Sequence, residues 1–210
     1  MAQKEAGDLV AVALPERLLG LRVNVELPEA ALAQLIGPCE ILAQVGLNVW
    51  TLPAGGSTQL DELRQVFSTR AILGLADVVG ETIESAIQQR PAFVFARLEL
   101  DQASLQRLKD AEIPVIQPGF TPAELMAVAK VSSGVAVWPA QAFGADYASS
   151  LKPLLPDTPL IARGDFTAEA AVPWLKKGCD AVSLSSRFTA AGFGGRAGEL
   201  RKTARILLIS

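Results

Sequence analysis

The sequence contains no histidine. That absence removes every Ser-His-Asp or Cys-His relay and every imidazole general base. It equally removes histidine-ligated zinc and iron centres. Any chemistry must therefore rest on carboxylates, lysine, arginine, hydroxyls or an oxygen-bound metal. Cysteine is almost as scarce, with only Cys39 and Cys179, both in apolar contexts that read as helical. One disulfide is open to them, but two buried thiols in a cytoplasmic protein is the reading adopted. Charges interrupt every apolar run before it reaches the length of a bilayer span, so no membrane partner is expected. Leu9 to Leu14 is apolar, yet Glu16 and Arg17 follow at once, which does not read as a signal peptide. Basic residues are not in excess either. Lysine and arginine total 19 against 22 acids, which offers no basic face to nucleic acid.

What is present is a chain of 210 residues, half of them hydrophobic and 20% charged, which suits one domain rather than disorder. Short apolar runs recur at intervals of about 20 to 28 residues and read as strands. They are Leu21 to Glu26, Leu47 to Leu52, Ala71 to Leu75, Ala92 to Ala96, Pro114 to Ile116, Val135 to Trp138, Pro159 to Ala162, and Ala181 to Leu184. Continuous rather than alternating apolar character is expected of parallel strands buried on both faces. Between them lie helical patterns such as Glu29 to Val45, Gly80 to Gln89 and Leu100 to Asp110. Thr121-Pro122-Ala123-Glu124 supplies a cap, a first-turn proline and a glutamate three residues on; Thr167 caps the stretch Ala168 to Lys177.

Eight βα units predict an α/β fold, a single (β/α)8 TIM barrel. A doubly wound sheet fits less well, since no glycine-rich turn follows the first strand. Residues 1–20 read as an N-terminal region whose helix, Leu9 to Gly20, closes the barrel bottom. Residues 21–188 form the barrel, and 189–210 a loop and a terminal helix, Arg196 to Leu207. The loop Gly192-Phe193-Gly194-Gly195 could suggest a phosphate cradle but reads rather as a plain linker.

Three segments carry a resemblance. They are Pro114-Val115-Ile116-Gln117-Pro118-Gly119-Phe120-Thr121-Pro122, Gly134-Val135-Ala136-Val137-Trp138-Pro139-Ala140, and Gly144-Ala145-Asp146-Tyr147 through Pro156-Asp157. Together, over about Leu21 to Phe188, the chain resembles the 2-keto-3-deoxy-6-phosphogluconate (KDPG) and 2-keto-4-hydroxyglutarate aldolases. The resemblance implies a lyase on small 2-keto acids or sugar-acid phosphates and a homotrimer, with Trp138, Phe143 and Phe120 as apolar residues near surface loops.

The functional positions depart from that family's pattern. Its sixth strand presents the Schiff-base lysine where this chain has Ala136, and its acid/base glutamate falls at Thr51. The carboxylate-gripping arginine becomes Gly55, and the third-strand threonine becomes Asp77. Ser-Pro-Gly after the fourth strand becomes Ala96-Arg97-Leu98, and Thr-Gly-Gly of the seventh becomes Arg163-Gly164-Asp165. The phosphate-binding Gly-Gly-Ser becomes Leu184-Ser185-Ser186. Lys4, Lys109, Lys130, Lys152, Lys176, Lys177 and Lys202 all fall on helical patterns or the terminus, so none replaces the missing nucleophile.

What stands at the strand ends instead is Arg97, Asp77, Arg163 and Asp165, with Gly164 and Trp138 between. Two arginines suit a carboxylate or phosphate. Ser183, Ser185 and Ser186 with their N–H groups offer a further anion seat. The alternative is that Arg97–Asp77 and Arg163–Asp165 are ion pairs filling a silent mouth. Asp77 and Asp165 are the one pair suited to a divalent cation; no other cofactor is expected. Glu26, ending the first strand, is a spare acid candidate. Two functions stay open: a divergent lyase or binder of a small anionic metabolite that does not use a Schiff base, and a catalytically silent binding or assembly protein.

Overall fold

The computed structural model describes residues 11–55, 59–193 and 195–208. Its first helix, α1 (Glu16–Leu21), ends at Arg22, whose left-handed backbone (φ 60°) turns the chain into β1 (Val23–Glu26). There follow α2 (Leu32–Gln44), β2 (Val49–Pro53), α3 (Gln59–Phe67), β3 (Ile72–Val78), α4 (Ile83–Gln89) and β4 (Val94–Ala96). The second half runs α5 (Gln102–Asp110), β5 (Val115–Gly119), α6 (Pro122–Ala129), β6 (Gly134–Val137), α7 (Asp146–Leu151) and β7 (Leu160–Gly164). It closes with α8 (Ala168–Lys176), β8 (Ala181–Leu184), the single turn α9 (Ala190–Phe193) and α10 (Ala197–Leu208). The strands pair in parallel in chain order, and β8 returns to β1 through Asn24↔Ser183, so the barrel is closed. No helix among the described residues is long and apolar enough to cross a membrane.

Local chemistry accounts for the helices. In α2 the buried residues Leu35, Pro38, Cys39 and Leu42 recur at the spacing of one helical face. Thr121 accepts from the Glu124 N–H (3.3 Å) while the Glu124 carboxylate takes the Thr121 N–H (2.8 Å), a closed capping box. Thr167 caps α8 through the Ala170 N–H. Leu200, Ala204 and Leu207 form the buried stripe of α10, which packs on α2 and α8.

Two apolar layers result. The outer one lies between strands and helices; the inner fills the barrel with Val49, Phe93, Phe95, Ile116, Ala136, Ile161 and Ala181. Leu14 and Leu18 close its lower end. The expected helix from Leu9 to Gly20 is shorter than its hydrophobicity suggested. It starts only after Pro15, which stands extended at its N-cap (ψ 128°), while Leu9 and Val10 lie outside the described residues. Gly192 and Phe193, taken from sequence as linker, belong to α9; Gly194 lies outside the described residues. Cys39 and Cys179 are both free and buried, though Cys179 follows α8 rather than lying in it. Burial pushes both thiols up to about 12, so neither is a nucleophile at neutral pH.

Phe93 packs closely against the neighbouring strand β3 because Gly74 leaves it room. A Cβ at Gly74 would lie 2.8 Å from the Phe93 carbonyl oxygen and 2.9 Å from its ring. The backbone cannot yield there as a side-chain tip would. Gly74→Ala is expected to destabilise the fold by about 1–3 kcal/mol, read as a lowered denaturant midpoint at unchanged m-value.

Candidate active site at the barrel mouth

Inward side chains of parallel strands stack in tiers, so the site is built by reading each strand upward. On β6 the inward residue is Ala136, 1% exposed, paired in register with Pro118 of β5 and Ile161 of β7. It sits in the apolar tier, and nothing on it can react. Among the described residues no lysine stands on a strand; Lys109, Lys176 and Lys202 are helical, and Lys130 and Lys177 are the C-caps of α6 and α8. Lys152 opens a 3-10 turn, and Lys4 lies outside the described residues.

Two residues beyond Ile161, β7 again points inward, at Arg163. Its side chain is only 3% exposed. Nε donates to Glu26 Oε1 at 2.6 Å, and Nη2 donates to Glu26 Oε2 at 3.3 Å and to Asp77 Oδ1 at 2.9 Å. The guanidinium carbon lies 5.3 Å from the Phe95 ring centre and 5.5 Å from that of Trp138. Burial alone lowers the pKa of this guanidinium, but Glu26 and then Asp77 outweigh it, and the net shift is upward. Arg163 is a permanent cation in this mouth.

A hydroxyl and amide network supports the pair from below. Asn24 Nδ2 donates to Thr51 Oγ1 at 3.0 Å and to Ser183 Oγ at 2.8 Å. The Ser183 hydroxyl in turn donates a hydrogen bond to Glu26 Oε1 at 3.1 Å. Thr51 is thus a fully buried acceptor with no acid/base capacity. Its cross-strand partner in register on β1 is Glu26.

Asp77 reaches Arg163 by an unusual path. The β3–β4 register shifts between Leu75 and Val78, and Asp77 adopts a left-handed conformation (φ 59°). The bulge turns its side chain into the mouth. The sequence-level pairing of Arg163 with Asp165 is therefore replaced by a triad with Glu26 and Asp77. Asp165, one residue past the end of β7, turns instead to the eighth strand. Its Oδ1 accepts from Ser185 Oγ at 2.8 Å and its Oδ2 pairs with Arg187 at 2.6 Å. The Ser185 hydroxyl first, and Arg187 second, hold its carboxyl below the usual carboxylate range. Gly164 faces Gln141, whose Oε1 would lie 2.1 Å from any Cβ there. Ser186 opens a 3-10 turn and accepts at its carbonyl from Thr189.

Arg97 does not pair with Asp77. It is exposed, and its guanidinium has no ion-pair partner among the described residues. It lines a groove of about 290 Å³ with Leu98, Glu99, Pro118, Gly119, Phe120, Glu124, Val128 and Trp138. Of the sequence candidates, Arg163, Asp77, Ser183 and Trp138 converge, joined by Glu26. Asp165 and Ser185 form a second cluster with Arg187, and Arg97 stands apart. Glu26 and Asp77 share the one cation Arg163, and Glu99 and Glu124 line the groove with Arg97, so carboxylates outnumber arginines at the mouth. Asp77 and Asp165 belong to different arginines. Among the described residues no group of three or more acids or cysteines is placed to hold a metal ion. Asn24 and Phe95 were missed as site residues; a polar residue in the apolar run Val23-Asn24-Val25 was the available signal for the first.

No family model and no curated protein matches the chain. Solved structures do. A native KDPGal structure superposes with a TM-score of 0.76 at 17% identity, covering 89% of this chain and 92% of that one. The 4-hydroxy-2-oxoglutarate/KDPG aldolase from TTHB1 gives 0.76 at 18% identity, covering 91% and 97%. A KDPG aldolase from Legionella pneumophila, with pyruvate captured as a covalent carbinolamine, gives 0.73 at 15% identity, covering 90% and 93%. This chain has the aldolase fold. The likeness spans most of each chain, in keeping with a strongly divergent aldolase-like barrel.

Removing Arg163 would leave Glu26 and Asp77 facing each other without their cation. Arg163→Ala is expected to destabilise the protein by about 3–5 kcal/mol, measured by chemical denaturation; a loss below 1 kcal/mol would show that the triad is not a structural element.

Proposed function

We propose that this aldolase-like barrel binds a small anionic metabolite at its C-terminal mouth and forms no Schiff base. The observation that carries this is the exchange at the barrel centre. The lysine position is an alanine inside an apolar tier, and the mouth's buried cation is Arg163. Arg97, unpaired beside Trp138, is the group that first meets an anion. This excess of carboxylates favours a monoanion such as a 2-keto acid over a sugar-acid phosphate, whose dianion would also approach Asp165. A metal-assisted lyase using Glu26, Asp77 or Asp165 is less well supported, because an arginine already holds each carboxylate.

The test has two arms. Incubation with pyruvate and borohydride is expected to leave the mass unchanged; a reduced pyruvate adduct on any lysine overturns the reading. In calorimetric titration, Arg97→Ala is expected to weaken pyruvate binding about tenfold to a hundredfold, the value of one guanidinium–carboxylate contact. If the unmodified protein binds neither pyruvate, phosphate nor KDPG at millimolar concentration, the silent-barrel alternative replaces it.

We further propose a cytoplasmic homotrimer, as the aldolase resemblance implies. Leu98, Phe120 and Met126 support an assembly face, being large apolar side chains 64%, 42% and 43% exposed on neighbouring elements. Phe143, by contrast, is half-buried in a stack between Phe120 and Tyr147. Sedimentation is expected to give three times the chain mass; monomer at micromolar concentration refutes the assembly.

A further inference from the structure

The two carboxylates on Arg163 are held very differently. Glu26 sits on the regular strand β1, is 17% exposed, and takes bonds from Nε, Nη2 and Ser183. Asp77 is 37% exposed, makes one contact to Nη2, and sits at a bulge on a left-handed backbone. Left-handed φ is uncommon for non-glycine residues and is unfavourable where surrounding structure imposes it. Arg163 itself is incompletely satisfied. Of its five N–H groups three are engaged, and Nη1 is buried with no acceptor among the described residues.

From this geometry we propose that Arg163 is a carboxylate seat and that Asp77 is its resident internal ligand. An incoming monocarboxylate displaces Asp77 into solvent and takes the Nη2 and Nη1 donors between the rings of Phe95 and Trp138. Glu26 stays in place. The exchange swaps one carboxylate for another on Arg163, so the charge bound to the guanidinium is unchanged and no covalent step is involved. It is selective for the same reason: a phosphate dianion would bring a second negative charge up to Glu26. Because Asp77 is tethered, it competes at a local concentration in the millimolar range or above, and the apparent affinity of any free acid is reduced accordingly. This inference rests on the anion-binding reading above and adds the residue that sets its affinity and ligand class.

Asp77→Gly and Asp77→Asn test it, since glycine and asparagine both tolerate a left-handed backbone and should fold. The probes are pyruvate, acetate and inorganic phosphate, titrated calorimetrically into the full chain and each variant. Pyruvate and acetate are expected to bind both variants at least tenfold more tightly than the unmodified protein, with little gain for phosphate. Equal or weaker carboxylate binding by both variants overturns the proposal, whatever Arg97→Ala does to the unmodified protein. A gain as large for phosphate also overturns it, since the effect would then be bulk charge and not a carboxylate seat. Binding by the variants alone upholds the internal ligand and sinks the anion-binding reading of the native protein.

Discussion

A guanidinium 97% removed from water is the constraint around which the mouth is organised. Such a charge is tolerated only with carboxylates in hydrogen-bonding geometry and with low-polarity surfaces that suit its flat faces. Each need is visible in a particular residue. Glu26 supplies the two-oxygen contact, and Ser183 and Asn24 fix Glu26 from below. Phe95 and Trp138 supply the faces. Asp77 completes the charge at the expense of a strained backbone and an irregular β3–β4 register.

The same constraint explains why the aldolase position is empty. Ala136 lies in the tier with Ile161, directly below Arg163 on the neighbouring strand. A lysine there would place a second cation in an apolar layer near a guanidinium already sharing two carboxylates. Alanine instead leaves room for Phe93 and Phe95, whose rings meet edge-on at 5.8 Å, and Gly74 admits Phe93. The buried positive charge of this mouth stands on the seventh strand. Unlike an amine, the Arg163 guanidinium stays protonated at every physiological pH.

Much of the scaffold is written locally. The apolar runs and intervening helical faces specify eight βα units, and the threonine caps before α6 and α8 start those helices where the motifs placed them. β8 coincides with its sequence span, whereas β3 and β5 end three residues later than theirs, because pairing with neighbours carries strand geometry past the end of the apolar run. Gly74, Thr51 and Ala136 could be matched to the aldolase pattern by their motifs alone. That Arg163 and Asp77 belonged to the mouth was also legible, since both end strands and active mouths lie at strand ends.

Which carboxylate each arginine takes was not legible. Proximity in sequence suggested Arg163 with Asp165 and Arg97 with Asp77. The structure joins Arg163 to Glu26, 137 residues away, and to Asp77, 86 residues away. Closure of β8 onto β1 brings Asn24 opposite Ser183 and sets Glu26 beside the seventh strand's inward side chain. A bulge that no local motif announces turns Asp77 toward them. The sequence determined the barrel and emptied its lysine position because periodicity, caps and residue identity act over a few residues. Tertiary structure alone decided the ion triad, because strand register around a closed barrel is a property of all eight strands together.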